Sequence, residues 1–121
     1  MSGIPSGNGT EVLKRAHHEF SGNSTTSPGD DYKILDGVAN HIYTILSIIC
    51  FNTYPGARTF TINATEAGGA NRRTILKTSV GQDETFIFND RLVLSGTDEL
   101  WLHINGNAGH WWVSYIDQDW S

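Results

Sequence analysis

Residues 42–51 have the sequence IYTILSIICF, which is the longest apolar run in the chain. Only Thr44 and Ser47 interrupt it, and isoleucine is a residue that favours strands. The run is apolar at both alternating sets of positions, whereas a strand with one solvated face alternates apolar and polar residues. It is also much shorter than the roughly 20 apolar residues of a membrane helix. The run therefore predicts a central β-strand that is covered on both sides.

The sequence around this run has the alternation of further strands. The clearest case is residues 58–65, in which Phe60, Ile62 and Ala64 share one face and polar residues occupy the other. Turn sequences rich in Gly, Asn, Asp and Pro separate seven or eight such segments at intervals of about 8 to 12 residues. Residues 106–109, Gly-Asn-Ala-Gly, are predicted to form a hairpin loop before the last strand. We therefore expect an all-β fold, an antiparallel two-sheet β-sandwich of jelly-roll type.

The chain has 121 residues, which allows one domain. Residues 1–20 are predicted to form an extended N-terminal arm and the first strand, residues 21–31 a loop, and residues 32–121 the sandwich domain. The spacing of Glu11 and Arg15 also suits a helix, although the β-like surroundings favour a strand.

The expected core follows mostly from alternation, with Ile45 as the test of whether residues 42–51 form a central strand. Its members are Ile42, Ile45, Leu46, Ile48, Phe60, Ile62, Leu76, Phe86, Phe88, Leu94, Leu100, Leu102, Ile104 and Ile116.

Charge and cysteine content exclude several classes of protein. The formal net charge is −5 with only 8 basic residues, which does not provide the basic face that nucleic-acid binding needs. The single cysteine, Cys50, excludes an internal disulfide framework and a cysteine-based zinc site. The first nine residues lack the pattern of a signal peptide, and no apolar run has the length of a membrane helix. We therefore expect synthesis in a cytoplasm, with no nucleic-acid or membrane partner.

No sequence pattern predicts catalysis, a metal site or a cofactor. Cys50 lies in the most apolar segment, where a thiol is usually inert. A small metalloenzyme using His103 and His110 is the enzymatic alternative, because those residues flank the predicted hairpin loop and a carboxylate such as Asp117 would complete the ligand set.

The four tryptophans are the strongest functional signal, because all of them lie in the last 21 residues. Alternation requires at least one of them to lie outside the main core, where it would contact another subunit or stack on a sugar. The predicted interface consists of Val12, Leu13, Trp101, Trp111, Trp112 and Trp120. The alternative glycan-stacking residues are Trp101, Trp111 and Trp112.

A pattern covering roughly residues 9–118 resembles the small β-sandwich virion proteins of tailed bacteriophages. Its parts are an apolar strand followed by asparagine, then a loop, an aromatic strand, a Gly-Asp turn and an apolar strand. The segments that carry the resemblance are Gly9–Arg15, Val38–Ile48 with Asn52, Glu84–Asp90, Leu92–Leu100 and Val113–Gln118.

The resemblance implies a non-enzymatic capsid decoration, or cement, protein that binds the outside of the assembled shell and stabilises it. It also implies a virion location after synthesis in the host cytoplasm, with the major capsid protein as partner. The four tryptophans near one end and sheet edges with only 3 Lys and 3 Pro in the chain predict a homo-oligomer, for which analogy with other decoration proteins favours a trimer. The alternative role is a tail- or fibre-associated protein, or a host-surface module that binds glycans through the C-terminal tryptophans.

Overall fold

A computed structural model describes residues 10–20, 31–66, 71–105 and 109–120. These residues form strands and their connections and contain no helix. The strands are β1 (Thr10–Phe20), β2 (Asp31–Asp36), β3 (His41–Phe51), β4 (Arg58–Glu66), β5 (Asn71–Val80), β6 (Thr85–Phe88), β7 (Leu92–Ser95), β8 (Glu99–Ile104) and β9 (Gly109–Asp119).

The strands form two antiparallel sheets in jelly-roll order. The five-stranded sheet has the order β1-β9-β3-β6, with β7 also paired to β3, and the four-stranded sheet has the order β2-β8-β4-β5. A jelly roll has eight strands, and the ninth arises here because two short strands, β6 and β7, share one side of β3. The predicted antiparallel two-sheet sandwich is confirmed.

Strand β3 occupies the middle of the five-stranded sheet, as its apolar sequence predicts. The prediction that it is covered on both sides is wrong among the described residues, because only its inner face meets the other sheet and Ile42 and Ile49 on its outer face are partly buried. It pairs with β9 on one side and with β6 and β7 on the other, and Ile45 is completely buried. The register with β9 shifts between Ile45 and Ser47. Because of this bulge at Leu46, the buried positions change from odd to even numbers, and Ile48 is buried like Ile45.

The observed core contains most of the expected residues and several others. The buried apolar cluster is Phe20, Leu35, Tyr43, Ile45, Ile48, Cys50, Phe60, Ile62, Val80, Leu94, Leu100, Leu102, Ile104, Trp111 and Val113, and the expected residues Leu76, Phe86 and Phe88 pack against it. The prediction is wrong for Ile42, Leu46 and Ile116, which are only partly buried. Ile42 and Ile116 are on the outer side of the sheet, and Leu46 is at the bulge.

Strand β1 is part of the sandwich. All 11 of its residues pair in unbroken register with β9, so the alternative of a short helix is wrong. The segment is therefore an integral strand of the five-stranded sheet and continues the same domain as residues 32–120. The predicted arm at residues 1–9 lies outside the described residues, and so does the predicted loop at residues 21–31 except for Asp31, which begins β2.

The last two strands do not form a hairpin, contrary to the sequence-based prediction. β8 pairs with β2 and β4, whereas β9 pairs with β1 and β3 in the other sheet. The connection between them therefore crosses from one sheet to the other. This is a regular feature of jelly rolls, in which the chain passes repeatedly from one sheet to the other.

Asn52 organises the end of β3 and is completely buried. Its amide nitrogen donates to the carbonyl oxygens of Gly56 and Val80, both at 2.8 Å, and its side-chain oxygen accepts the backbone N–H of Tyr54 at 2.8 Å. Its backbone N–H donates to the Glu84 carbonyl at 3.1 Å. One side chain thus connects the end of β3 to the following turn and to the end of β5.

Replacing Asn52 with alanine is expected to lower the free energy of unfolding by about 2–4 kcal/mol. The substitution leaves the buried Val80 carbonyl and two partly buried backbone groups, of Gly56 and Tyr54, without their partners, at about 1–3 kcal/mol for a fully buried group before relaxation. Chemical denaturation measures the loss. The matched control is Asn105→Ala, since Asn105 is exposed and its side chain accepts one bond, from the Thr59 N–H at 2.7 Å. Similar losses in the two variants would contradict the assigned role of Asn52.

Candidate interaction surfaces

The tryptophans occupy separate parts of the molecule, although they are close in sequence. Trp111 points into the core, is 1% exposed, and lies against Phe60 with ring centroids 5.3 Å apart. Its assignment to an interface and to glycan stacking is therefore wrong. Adjacent residues on a strand face opposite sides, so Trp112 lies on the outer face of the same sheet and is 40% exposed.

Trp101 lies on the outer face of the four-stranded sheet, where it is half-buried. Its indole N–H donates to Glu99 Oε1 at 2.9 Å, and that buried carboxylate also accepts from Thr65 at 3.0 Å. The hydrogen bond from Trp101 is the main reason that the pKa of Glu99 is lowered. Lys33 and Arg72 lie over the indole ring, 5.7 and 4.8 Å from its centroid. Trp101 is thus fixed in a polar, charged setting.

Trp120 is half-buried beyond the end of β9, where its backbone N–H donates to the Asn40 carbonyl at 3.2 Å. It contributes no large exposed surface. Of the six residues predicted to form an interface, Val12, Leu13 and Trp112 are exposed, and all three lie on paired strands of the five-stranded sheet.

The outer face of the five-stranded sheet carries an exposed apolar surface. Its most exposed members are Leu13, Val93, Ile87 and Trp112. Partly buried apolar residues adjoin them: Ile116 lies beside Leu13, and Ile49 lies between Trp112 and Ile87. Ile42 lies at the margin of the same face, between Gln118 and Ser95. We call these seven residues the outer apolar face. Four large apolar side chains exposed on one sheet face indicate an interaction surface.

A shallow groove crosses this face. It runs between β1, β9 and the bulge of β3, and it is lined by Leu13, Lys14, Arg15, Leu46, Ser47 and Ser114. Arg15 lies over the ring of Trp112, 4.7 Å from the centroid, and His17 stacks beside the same ring at 5.5 Å. The side chains on this part of β1 are therefore held in place by contacts within the sheet.

Asp117 connects β9 to β1 and β3 at this end of the sheet. Its carboxylate, with 7% of the side chain exposed, binds Lys14 Nζ at 2.9 Å and His41 Nδ1 at 2.7 Å. Burial raises the pKa of Asp117, but the hydrogen bonds and charges of Lys14 and His41 outweigh that effect, so its pKa is lowered. The same contact with Asp117 raises the pKa of Lys14.

The structure does not assemble the metal site that was considered as an alternative. His103 lies on β8 in the four-stranded sheet, His110 lies on β9 in the five-stranded sheet, and Asp117 is engaged by Lys14 and His41. Within the described parts of the chain, no group of three or more His, Cys, Asp or Glu side chains has the arrangement of a metal site.

Cys50 is buried, and burial raises the pKa of its thiol to about 12. The thiolate, which is the reactive form, is therefore scarce at neutral pH. Among residues 10–20, 31–66, 71–105 and 109–120, no helix has the length and hydrophobicity to span a membrane.

No family model matches the sequence, and no curated protein is significantly similar to it. Among solved structures, a protein of the disulfide-linked pili of Bacillus endospore appendages has a TM-score of 0.50 at 15% identity, with 98% of this chain and 96% of that chain covered. At this identity the likeness shows the fold, a jelly-roll sandwich. It confirms the predicted architecture over nearly the whole chain.

Two further structures are similar in a weaker way. A chain of naturally occurring empty particles of Cowpea mosaic virus has a TM-score of 0.48 at 6% identity, with 93% of this chain and 83% of that chain covered. The xylanase 10B of Clostridium thermocellum, solved as its CBM22-1 and GH10 modules with xylohexaose, has a TM-score of 0.49 at 13% identity. That match covers 93% of this chain but only 26% of the xylanase chain.

Replacing Trp111 with alanine is expected to lower the free energy of unfolding by about 3–5 kcal/mol, because it leaves a cavity in the core. Trp112→Ala, the matched control on the opposite face, is expected to cost about 1 kcal/mol or less. Denaturant titrations of the two variants provide the comparison. A larger loss for Trp112 than for Trp111 would show that the orientation of β9 is wrong.

Asp117 is expected to make stability sensitive to acid. Because folding lowers its pKa, its stabilising contribution is complete above the ordinary carboxyl range and is lost as pH falls through the lowered pKa of the folded state. Asp117→Asn should reduce stability at pH 7 by about 1–2 kcal/mol and flatten its decline below about pH 4.

Thermal unfolding followed between pH 7 and pH 3 measures this effect. The control is Asp36→Asn, because Asp36 is exposed and lies 3.5 Å from Lys33; an exposed pair of this kind contributes little. Equal pH profiles for wild-type protein and Asp117→Asn would refute the role of Asp117.

Proposed function

We propose that this chain is a non-enzymatic structural protein of a tailed-phage virion, and specifically a capsid decoration protein that binds the outside of the assembled shell. The observation that carries the proposal is the outer apolar face, with Leu13, Ile87, Val93 and Trp112 exposed on one sheet. A face of this composition is typical of a protein that works in contact with other subunits. The resemblance of residues 9–118 to phage virion proteins is the reason that we propose a virion as the assembly.

The physical role of such a protein follows from mass action. A protein that binds the assembled shell and has no affinity for separate shell subunits stabilises the assembled state by its binding free energy. Many copies, each with a modest contact, add their contributions across the particle. The partner in this proposal is the major capsid protein, and the location is the capsid surface of the virion.

Within the predicted interface, Val12, Leu13 and Trp112 are the residues assigned to contacts. They share the five-stranded sheet, and Leu13 and Trp112 belong to the outer apolar face. The proposal also includes a homo-oligomer on the particle, for which the resemblance favours a trimer. It assigns no catalytic residue, metal or cofactor.

Trp101 favours a second candidate function, a glycan-binding module on a tail, fibre or host-facing surface. Its indole is half-buried on a polar sheet face, and its N–H is fixed by a buried carboxylate, so the ring is preorganised. Lys33 and Arg72 lie over the ring, so a neutral sugar would have to displace at least one cation. An acidic sugar would also have to displace a cation from the ring, but its carboxylate would then pair with that cation.

The decoration role predicts a specific phenotype. Particles produced without this chain should still assemble, but they should release their DNA at a lower temperature, and purified protein added back should restore wild-type behaviour. The variant Ile87→Glu/Val93→Glu should fold and fail to restore it, because it introduces charge into the outer apolar face. Ile75→Glu is the matched control, since Ile75 is exposed on the other sheet.

Thermal DNA release from purified particles is the measurement. If shells fail to assemble without the chain, the chain is a shell subunit and the decoration role is refuted. If the chain is detected only at tails, the tail-associated role is favoured. Glycan arrays with wild-type protein and Trp101→Ala test the second candidate, with Trp112→Ala as the control. Binding that is lost only in Trp101→Ala would favour glycan recognition over decoration.

A further inference from the structure

The edge strands of the two sheets differ in their protection against pairing. In the four-stranded sheet, the edge strands β2 and β5 both have register shifts in their pairing with the adjacent strand. In the five-stranded sheet, the edge opposite β1 is divided between two strands of four residues, β6 and β7. Bulges and short strands are devices that prevent edge pairing. β1 has neither, since its 11 residues pair continuously with β9.

The first half of β1 is also the most accessible part of that edge. Residues 10–15 are all exposed, and Leu13, at 70%, is the most exposed large apolar residue of the described chain. Lysine is a usual guard of an edge strand, but Lys14 is drawn into its own sheet by the 2.9 Å ion pair with Asp117. Among the described residues, no strand pairs with this segment on the side away from β9.

We propose that β1 pairs antiparallel with β1 of a second copy of this chain, about a two-fold axis through Leu13, so that the two five-stranded sheets become one continuous sheet. The proposal deepens the proposed function, on which it rests for the premise that the chain works in an assembly. The pairing is isologous, meaning that the same patch is used on both copies.

The register follows from side-chain chemistry. Residues that are directly opposite each other in antiparallel strands have their side chains on the same face of the sheet. Neighbouring residues of one strand point to opposite faces, so the residue at the two-fold axis must face its own copy. We describe each register by that residue and say that the axis passes through it. An axis through Lys14 or Arg15 places that cation directly opposite the same cation of the second copy, where the like charges repel. An axis through Val12 places the charged Glu11 opposite Leu13.

An axis through Leu13 avoids the like-charge pairs and keeps Glu11 away from Leu13. It places Lys14 opposite the partner's Val12, but the ammonium group of Lys14 is already held by Asp117 of its own subunit. The same axis places Glu11 opposite Arg15 of the partner subunit, and by symmetry Arg15 opposite the partner's Glu11. Between these two ion pairs, Leu13 lies beside the partner's Leu13. Opposite charges directly across strands are stabilising, and like charges there are destabilising. This register pairs residues 10–16, which include the whole exposed segment.

The side chains involved are already ordered in the single subunit. Gln118 donates to Glu11 at 2.9 Å, and Arg15 lies over Trp112. Ordered side chains lose less conformational entropy on association. The paired Leu13 residues also extend the outer apolar face across the two subunits. A two-fold contact generates a dimer, which differs from the trimer that the resemblance implies.

Cysteine cross-linking tests the contact and its register. The variants Val12→Cys, Leu13→Cys and Lys14→Cys are oxidised so that disulfides form directly, together with Val93→Cys as a control on the opposite edge of the same outer face. A disulfide needs Cα atoms less than about 7 Å apart, so it joins the directly opposed Leu13→Cys pair in preference to the diagonal pairs at positions 12 and 14. The native Cys50 is buried, and the pKa of its thiol is about 12, so it should not react in the folded protein. Leu13→Cys should form covalent dimers at least tenfold faster than the other three variants.

A charge exchange tests the ion pairs. Arg15→Glu places like charges opposite each other at two positions and should raise the dimer dissociation constant about tenfold or more, as measured by sedimentation equilibrium. The exchange variant Glu11→Arg/Arg15→Glu loses the same Arg15–Trp112 contact but restores opposite charges, so its dissociation constant should return to within about threefold of wild type. Arg91→Glu controls for the change in net charge, because Arg91 precedes β7 on the opposite edge.

Several outcomes would overturn the proposal. These are a monomeric wild-type protein at all concentrations, equal cross-linking of the four cysteine variants, or an exchange variant as weak as Arg15→Glu. Circular dichroism of each variant confirms folding before comparison. A monomer that still binds virions would refute the β1 contact and leave decoration intact, whereas a β1 dimer that does not bind virions would refute decoration alone.

Discussion

The buried amide of Asn52 is the constraint on which the arrangement of the two sheets depends. It stands at the end of β3 in the five-stranded sheet and bonds to the Val80 carbonyl at the end of β5 in the four-stranded sheet. Its other bonds, to Gly56 and Tyr54, fix the turn that leads from one sheet to the other. Because the Asn52 amide and its bond to Val80 are buried, a slip of β3 by one residue would leave these polar groups unpaired, at a cost that is a considerable part of the stability of a small domain.

With β3 fixed, the rest of the five-stranded sheet follows. β9 takes one side of β3, the short strands β6 and β7 take the other, and β1 is added outside β9 as an edge. The inner face of this sheet is closed by the four-stranded sheet, but its outer face retains exposed apolar residues. The outer apolar face and the β1 edge are therefore the surfaces to which we assign the proposed contacts.

The two outer faces of the sandwich have different chemistry, and this difference separates the functional proposals. On the four-stranded sheet, Trp101 is surrounded by threonine, asparagine and charged residues, and its ring is already covered by cations. On the five-stranded sheet, Leu13, Ile87 and Val93 extend into solvent. Apolar burial contributes roughly 25 cal/mol per Å², so the five-stranded sheet offers more free energy to a protein partner.

The amino-acid sequence by itself determined the strands, the all-β class and most of the core. These follow from the alternation of apolar and polar residues, which is a property of each segment and does not depend on which strands lie beside it. It also determined that Trp111 and Trp112 face opposite sides of β9. Only the tertiary structure decided which of the two is buried, because that depends on which face of β9 meets the other sheet. The same is true of β8 and β9, whose short connection resembles a hairpin although the strands belong to different sheets. The shift at Leu46 and the role of Asn52 depend on contacts with distant strands, which no local pattern encodes.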